Sequence, residues 1–245
     1  MTKQPNRDTI YSTPQEQVAG FTFDNKVAAV FEDMIRRSVP GYGLTLSMLG
    51  VLAGEHAQAG SNIFDLGCSL GAGIAAMRSR IDAKSCRIIG IDNSRAMLER
   101  CRQNLAAQES PVAVELICAN IRDIAVANAS MAVLNFTLQF VPVADRLELL
   151  ARIHDGLLPG GALVLSEKIA FDNADEQQLQ SDMHHAFKAA QGYSALEISQ
   201  KRSAIENVLI PETVDAHIER LHAAGFTRVY VWFRCFNFAS IVALK

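Results

Sequence analysis

NIFDLGCSLGAG, residues 62–73, decides the fold. Its apolar start reads as a strand that runs into Asp65-Leu66-Gly67. Gly71 and Gly73 then open a helix. Glycines at such a turn let a ligand approach the backbone and let the helix pack closely on the strand. The spacing is D-x-G-x-x-x-G. The dinucleotide pattern G-x-G-x-x-G sets a helix N-terminus against pyrophosphate. The longer turn here suits a nucleoside ligand without phosphates, namely S-adenosylmethionine (SAM). An ordinary Gly-rich strand–helix turn is the competing reading.

The next strand supports a nucleoside. IIGID (88–92) is an apolar run ending in an acid about 25 residues after Gly67, close to the interval expected for a ribose-binding carboxylate. An ionised carboxylate only accepts hydrogen bonds, so Asp92 suits a diol. It could instead cap the following helix, where Ser94 is also available. Asn93 follows at the position that borders an adenine. A third strand runs into Asn120 and Ile121. Asn120 could accept from an exocyclic amine and Ile121 could pack on a ring, or both could belong to a solvated loop. Asn135 ends a fourth apolar run, near the crevice where ligands bind in such sheets, and needs a hydrogen-bond partner there. No D/N-P-P-Y sequence is present, so the usual amino-group methyltransferase motif is missing.

Outward from this segment, apolar runs at 62–66, 87–91, 113–118, 131–136 and 162–166 alternate with amphipathic stretches at 71–81, 95–107 and 144–158. That alternation predicts βαβ units and a parallel sheet with helices on both faces. Pro159-Gly160-Gly161 is expected to end a helix and turn into the next strand. A helix capped by Asp24 and a second one over 44–56 make an N-terminal helical segment, 22–56. Residues 171–211 break the rhythm and read as a helical insertion. A helix at 213–224 and strands at 228–233 and 238–244 follow, four residues apart, as an antiparallel edge hairpin. The expected architecture is therefore α/β: a class I SAM-methyltransferase-like Rossmann sheet, mostly parallel with an antiparallel C-terminal hairpin, in a single domain spanning 1–245. The first twenty or so residues are polar and are expected to be loosely ordered.

Composition bounds the rest. The 245 residues carry a net charge of −3, which argues against gripping nucleic acid through bulk charge. Hydrophobic residues make up 49%, enough for a sizeable core. No long uncharged apolar run suggests a membrane span or signal peptide. Five cysteines without C-x-x-C spacing fit a reduced cytoplasmic setting better than a disulfide framework or zinc site. His184 and His185 are adjacent on a helix, diverge by about 100° and are not expected to share a metal. Cys68 reads as a small residue in a tight turn. Trp232, Phe233, Phe236 and Phe238 read as core or subunit interface. Lys201-Arg202 is either a solvated face or, if the insertion covers the crevice, a carboxylate clamp.

RSVPGY (37–42), DLGCSLGA (65–72), IDNS (91–94), NFTLQF (135–140), PGGALVLSEK (159–168), MHHAFK (183–188), LEISQKRS (196–203) and CFNF (235–238) together resemble the carboxy-S-adenosyl-L-methionine synthase family, from about Thr22 onwards. The resemblance implies an enzyme that takes SAM and prephenate and yields carboxy-S-adenosyl-L-methionine and phenylpyruvate, without a metal. The product supplies a separate tRNA-modifying enzyme that acts on the wobble uridine. By position, Tyr42 would contact the ligand, Gly67, Cys68 and Ser69 would form the methionine-side turn, and Asp92 and Asn93 would hold the ribose and adenine side. Asn120 and Ile121 would flank the base, and Asn135 would line the floor. Arg202 would pair with the new carboxylate. The family often has an acid where this chain has Asn120. It is homodimeric, which would suit the N-terminal helix and the insertion as interface. The alternatives are a small-molecule methyltransferase using the same nucleoside site and a non-catalytic SAM-binding module.

Overall fold

The computed structural model describes residues 6–15 and 20–245. Five parallel strands form its centre: β1 (Asn62–Leu66), β2 (Arg87–Asp92), β3 (Ala113–Cys118), β4 (Ala129–Asn135) and β5 (Leu157–Lys168). The strands β6 (Arg228–Cys235) and β7 (Phe238–Leu244) complete the sheet. The order is β3-β2-β1-β4-β5-β7-β6, with β7 antiparallel to both β5 and β6. This is the expected mostly parallel sheet with a reversed hairpin. The strand order turns back between β1 and β4, which opens a crevice at their C-terminal ends.

Burial on both faces explains the continuous apolar runs of the central strands. On one face, Phe64, Leu66 and Leu134 pack with Leu149, Leu150 and Ile153 of α5 (Val143–Gly156) and with Leu221 of α8 (Val214–Ala223). On the other, Ile63, Ile88 and Val133 pack with α2 (Tyr42–His56), α3 (Ala72–Arg78) and α4 (Arg95–Ala106). Helices α2 and α3 approach closely at Gly50, where an added Cβ would lie 2.8 Å from the Ala76 carbonyl oxygen.

Local chemistry sets the helix starts. Asp24 accepts from the Lys26 and Val27 N–H groups, both at 2.9 Å, at the head of α1 (Asn25–Ser38). Asn173 caps α6 (Ala174–Ala190), and Ser194 with Glu197 forms a capping box on α7 (Ala195–Ile205). These two helices occupy the segment expected to be a helical insertion.

Three boundaries differ from expectation. Helix α5 stops at Gly156, and Pro159-Gly160-Gly161 lies inside β5, where Gly160 takes φ +75°. The β4–β5 register shifts there, from Ala129 opposite Leu157 to Met131 opposite Ala162, so the glycines make a bulge rather than a turn. Helix α3 is shorter than the 71–81 stretch. The terminal hairpin turns through only Phe236 and Asn237, because β6 continues to Cys235 and Phe236 adopts φ +49°.

Part of the polar N-terminus is also more ordered than its composition implies. Residues 1–5 and 16–19 lie outside the described residues. Asp8, by contrast, is buried: its N–H donates to Asp33 Oδ2 at 2.7 Å, and Tyr193 Oη donates to its Oδ2 at 2.6 Å. Gln200 of α7 accepts from the Gln15 N–H and donates to the Tyr11 and Thr13 carbonyls. Tertiary hydrogen bonds hold a segment that lacks apolar periodicity.

The loop after β4 is fixed from β5. Glu167 is buried, and its two carboxylate oxygens accept from the Leu138 and Gln139 N–H groups, each at 2.9 Å. Arg146 on α5 is fully buried and clamps the same loop, donating to the Val141 and Gln139 carbonyls while pairing with Glu212. In Glu167→Gln an amide NH₂ must face a backbone N–H. That substitution is expected to lower the unfolding free energy by about 1–3 kcal/mol, read from urea denaturation. An unchanged midpoint would show that the two bonds do not hold the loop.

Candidate functional site

The crevice is a single cavity of about 1830 Å³, lined by the C-terminal ends of the parallel strands and roofed by α1, α6 and α7. Tyr42, Gly67, Cys68, Ser69, Asp92, Asn93, Asn120, Ile121, Asn135 and Arg202 all line it. The ten residues chosen from sequence, spread over 160 positions, thus face one space.

The glycine turn forms one wall. The Gly67 and Cys68 N–H groups donate to the Ile91 carbonyl at 2.8 and 2.9 Å, which ties the turn to β2. Gly67 has φ +90°, and an added Cβ would lie 2.4 Å from Thr137 Oγ1. Ser69 also sits in the left-handed region, at φ +49°, and this turns its N–H toward Asp92. Cys68 is buried. Contact with the Cys101 thiol, then burial and nearby acids, raises its pKa, so it is a packing residue with little thiolate character.

Asp92 accepts from the Ser69 N–H (2.9 Å, Oδ2) and the Ser94 N–H (2.8 Å, Oδ1). A carboxylate offers about four acceptor sites, so two remain for a diol. Ser94 itself caps α4 by accepting from Met97 N–H at 3.2 Å. The helix cap therefore rests on the serine, and the Asp92 carboxylate lines the cavity. Burial raises the Asp92 pKa, against the pull of its two N–H donors.

Across β1, Asp65 is buried and accepts no side-chain hydrogen bond among the described residues. Burial, with Asp92 beside it, pushes its carboxyl up to about 7. Asn120 Oδ1 accepts from the Arg122 N–H at 3.0 Å, which leaves its amide NH₂ available, and Ile121 is buried beside it. Asn135 Oδ1 is buried with no hydrogen-bond partner among the described residues, the state expected of a group that meets a ligand. Burial raises the Tyr42 hydroxyl pKa, so Tyr42 is neutral.

The opposite wall is cationic. Arg202 on α7 is 67% exposed at its side chain and lies 3.9 Å from Glu206. Lys168 at the end of β5, Lys188 on α6 and Lys201 on α7 line the same cavity. Sequence reasoning weighed Lys201 together with Arg202 but passed over Lys168, Lys188 and the role of Asp65. Asp65 opens the very motif that was read, and Lys168 and Lys188 end two of the segments that carry the resemblance. His184 and His185, expected to diverge, both border the cavity with ring planes 27° apart and centroids separated by 6.3 Å. His184 Nε2 is held at 2.8 Å from the Ser38 carbonyl, and burial pushes its pKa down to about 3. Among the described residues, no group of three or more His, Cys, Asp or Glu stands together as metal ligands, and no helix is long and apolar enough to cross a membrane.

Gly67→Ala is expected to destabilise the protein by about 1–3 kcal/mol through backbone strain alone, before Thr137 is displaced. Chemical denaturation reads this, and a variant as stable as the parent would show that the turn tolerates a side chain.

A family described as "Methyltransferase domain" matches residues 63–161, the stretch from β1 into β5. The carboxy-S-adenosyl-L-methionine synthase of Geobacter metallireducens is 58% identical over 97% of this chain and 98% of its own. That of Trichlorobacter lovleyi is 54% identical over the whole of both chains. Among solved structures, human N-acetylserotonin methyltransferase in complex with SAM aligns with a TM-score of 0.55 at 15% identity, covering 99% of this chain and 64% of that one, a likeness of fold alone. At such identity over nearly its full length, the chain belongs to the carboxy-S-adenosyl-L-methionine synthase family of enzymes, built on the class I SAM-methyltransferase fold.

Proposed function

We propose that the cavity converts SAM and prephenate to carboxy-S-adenosyl-L-methionine and phenylpyruvate. The product is the donor for carboxymethylation leading to 5-oxyacetyluridine at the tRNA wobble position, carried out by a separate tRNA-modifying enzyme. In this reading the protein acts as a cytoplasmic homodimer and does not itself bind nucleic acid. The observation that carries the proposal is the pairing of a nucleoside wall, centred on Asp92, with a facing wall of Arg202 and lysines.

The adenosyl group lies with its ribose diol on Asp92, its base between Asn93, Asn120 and Ile121, and Asn135 at the floor. Gly67, Cys68 and Ser69 pass along the methionine side. Tyr42 closes the pocket from α2. Asp65 faces the α-ammonium. Prephenate loses carbon dioxide and hydroxide as its ring becomes aromatic. The hydroxide removes a proton from the sulfonium methyl and leaves as water. The resulting ylide carbon attacks the carbon dioxide, forming the new C–C bond and a carboxylate that pairs with Arg202. The roof excludes water, which protects the ylide and strengthens the charge pairing. Donors for anions matter more here than a strong protein base.

Mass spectrometry of a reaction containing only protein, SAM and prephenate is expected to show SAM gaining the mass of carbon dioxide, together with phenylpyruvate. No conversion, or methyl transfer to an added acceptor with release of S-adenosylhomocysteine, would overturn the proposal. Arg202→Ala is expected to weaken binding of the carboxylated product by about 1 kcal/mol while leaving SAM bound, as for a largely exposed charge pair.

Binding should also be linked to protons. A free carboxyl titrating near 7 is largely protonated at pH 6, and an incoming ammonium ionises it. SAM binding is thus expected to release a proton at pH 6 and none well above pH 7. Calorimetry in buffers of different ionisation enthalpy measures this, and equal heats at pH 6 would remove Asp65 from the site.

A further inference from the structure

Lys188 is a buried cation without a counter-ion. Its residue is only 7% exposed, it lines the cavity, and its ammonium makes no hydrogen bond or ion pair among the described residues. Lys168, at the end of β5, is likewise unpaired and lines the same wall. The other cavity-facing cations each have a polar or acidic neighbour, Arg122 pairing with Asp145. Arg36 pairs with Glu32, Arg202 lies beside Glu206, and Lys201 donates to Ser38 Oγ at 2.9 Å with Asp8 nearby. Burying a charge alone is costly, so an unpaired ammonium on a cavity wall signals an anion that arrives with a ligand.

The geometry points to a second anion subsite, formed by Lys168 and Lys188, that holds the carboxylate which the co-substrate keeps. This assignment rests on the reading above, in which the co-substrate carries two carboxylates and loses one. Arg202 stands on a different helix, at the more exposed side of the same wall. Holding the pyruvyl carboxylate on the two lysines directs the departing one toward Arg202 and the sulfonium. Prephenate is thereby gripped at one end and reacts at the other. His185 borders this subsite, and its pKa is lowered by burial, then by Lys188, Arg202 and Lys168, so it can donate a hydrogen bond without adding charge. Burial, with Lys201, Lys168 and Arg202 close by, also pushes Lys188 down to about 7, consistent with a cation that awaits its anion.

The test uses full-length protein loaded with S-adenosylhomocysteine, which has no methyl to react. Prephenate and, separately, phenylpyruvate are titrated in and followed by calorimetry, for the parent and for Lys188→Met, Lys168→Met and Lys188→Arg. Phenylpyruvate keeps only the pyruvyl carboxylate. Each Met variant is expected to bind both acids roughly 30-fold or more weakly, as follows from removing one partner of a buried charge pair. Nucleoside affinity should stay within about twofold, as for an independent site. Lys188→Arg should recover most of the loss. The apo Met variants should melt at higher temperature than the parent, because an unpaired buried charge has been removed; a purely structural lysine would give a lower Tm. Phenylpyruvate binding that ignores the lysines would overturn the assignment, even if prephenate is still converted. Lysine-dependent phenylpyruvate binding without any prephenate binding would instead keep the subsite and remove the proposed co-substrate.

Discussion

Two backbone N–H groups on one carboxylate hold the Asp92 wall of the cavity together. Ser69 belongs to the turn after β1 and Ser94 to the turn after β2, and both donate to Asp92. Ser69 makes its bond from a left-handed backbone, and two residues earlier Gly67 leaves no room for a Cβ beside Thr137. The two loops are thus joined through one carboxylate. Two of the carboxylate's roughly four acceptor sites are taken by these fixed donors, which leaves about two toward the cavity.

The cavity is electrostatically divided. Asp65 and Asp92 stand where the parallel strands end, and Lys168, Lys188, Lys201 and Arg202 stand on the opposite wall. A ligand with a cationic amino acid at one end, together with an anionic partner, would complement both walls. The pKa values of Asp65 and Lys188 are both drawn toward neutrality by burial, the state expected of charges that are completed by a ligand.

The frame was legible because burial leaves a period in the sequence. The strand–helix alternation, the Gly-rich turn, the acid ending β2 and the reversed hairpin all follow from local pattern. Boundaries at Gly156 and Gly160 were not, because a bulge and a turn use the same residues and only the register with β4 separates them. Asp8 and Gln200 were hidden for another reason: their partners lie more than 180 positions away. Lys188 resembles any lysine near the end of a helix until Phe238, His184 and the roof helices enclose the cavity around it.

Cysteine placement has a practical consequence. Of the five thiols, Cys68, Cys86 and Cys101 are buried and Cys235 is half-buried, while Cys118 is exposed at the tip of β3. Its sulfur lies 4.0 Å from the Asn93 carbonyl and one residue before the cavity-lining Ala119. A maleimide dye would therefore attach at the rim of the cavity beside Asn93 in the unaltered protein, giving a fluorescent reporter of occupancy without engineering.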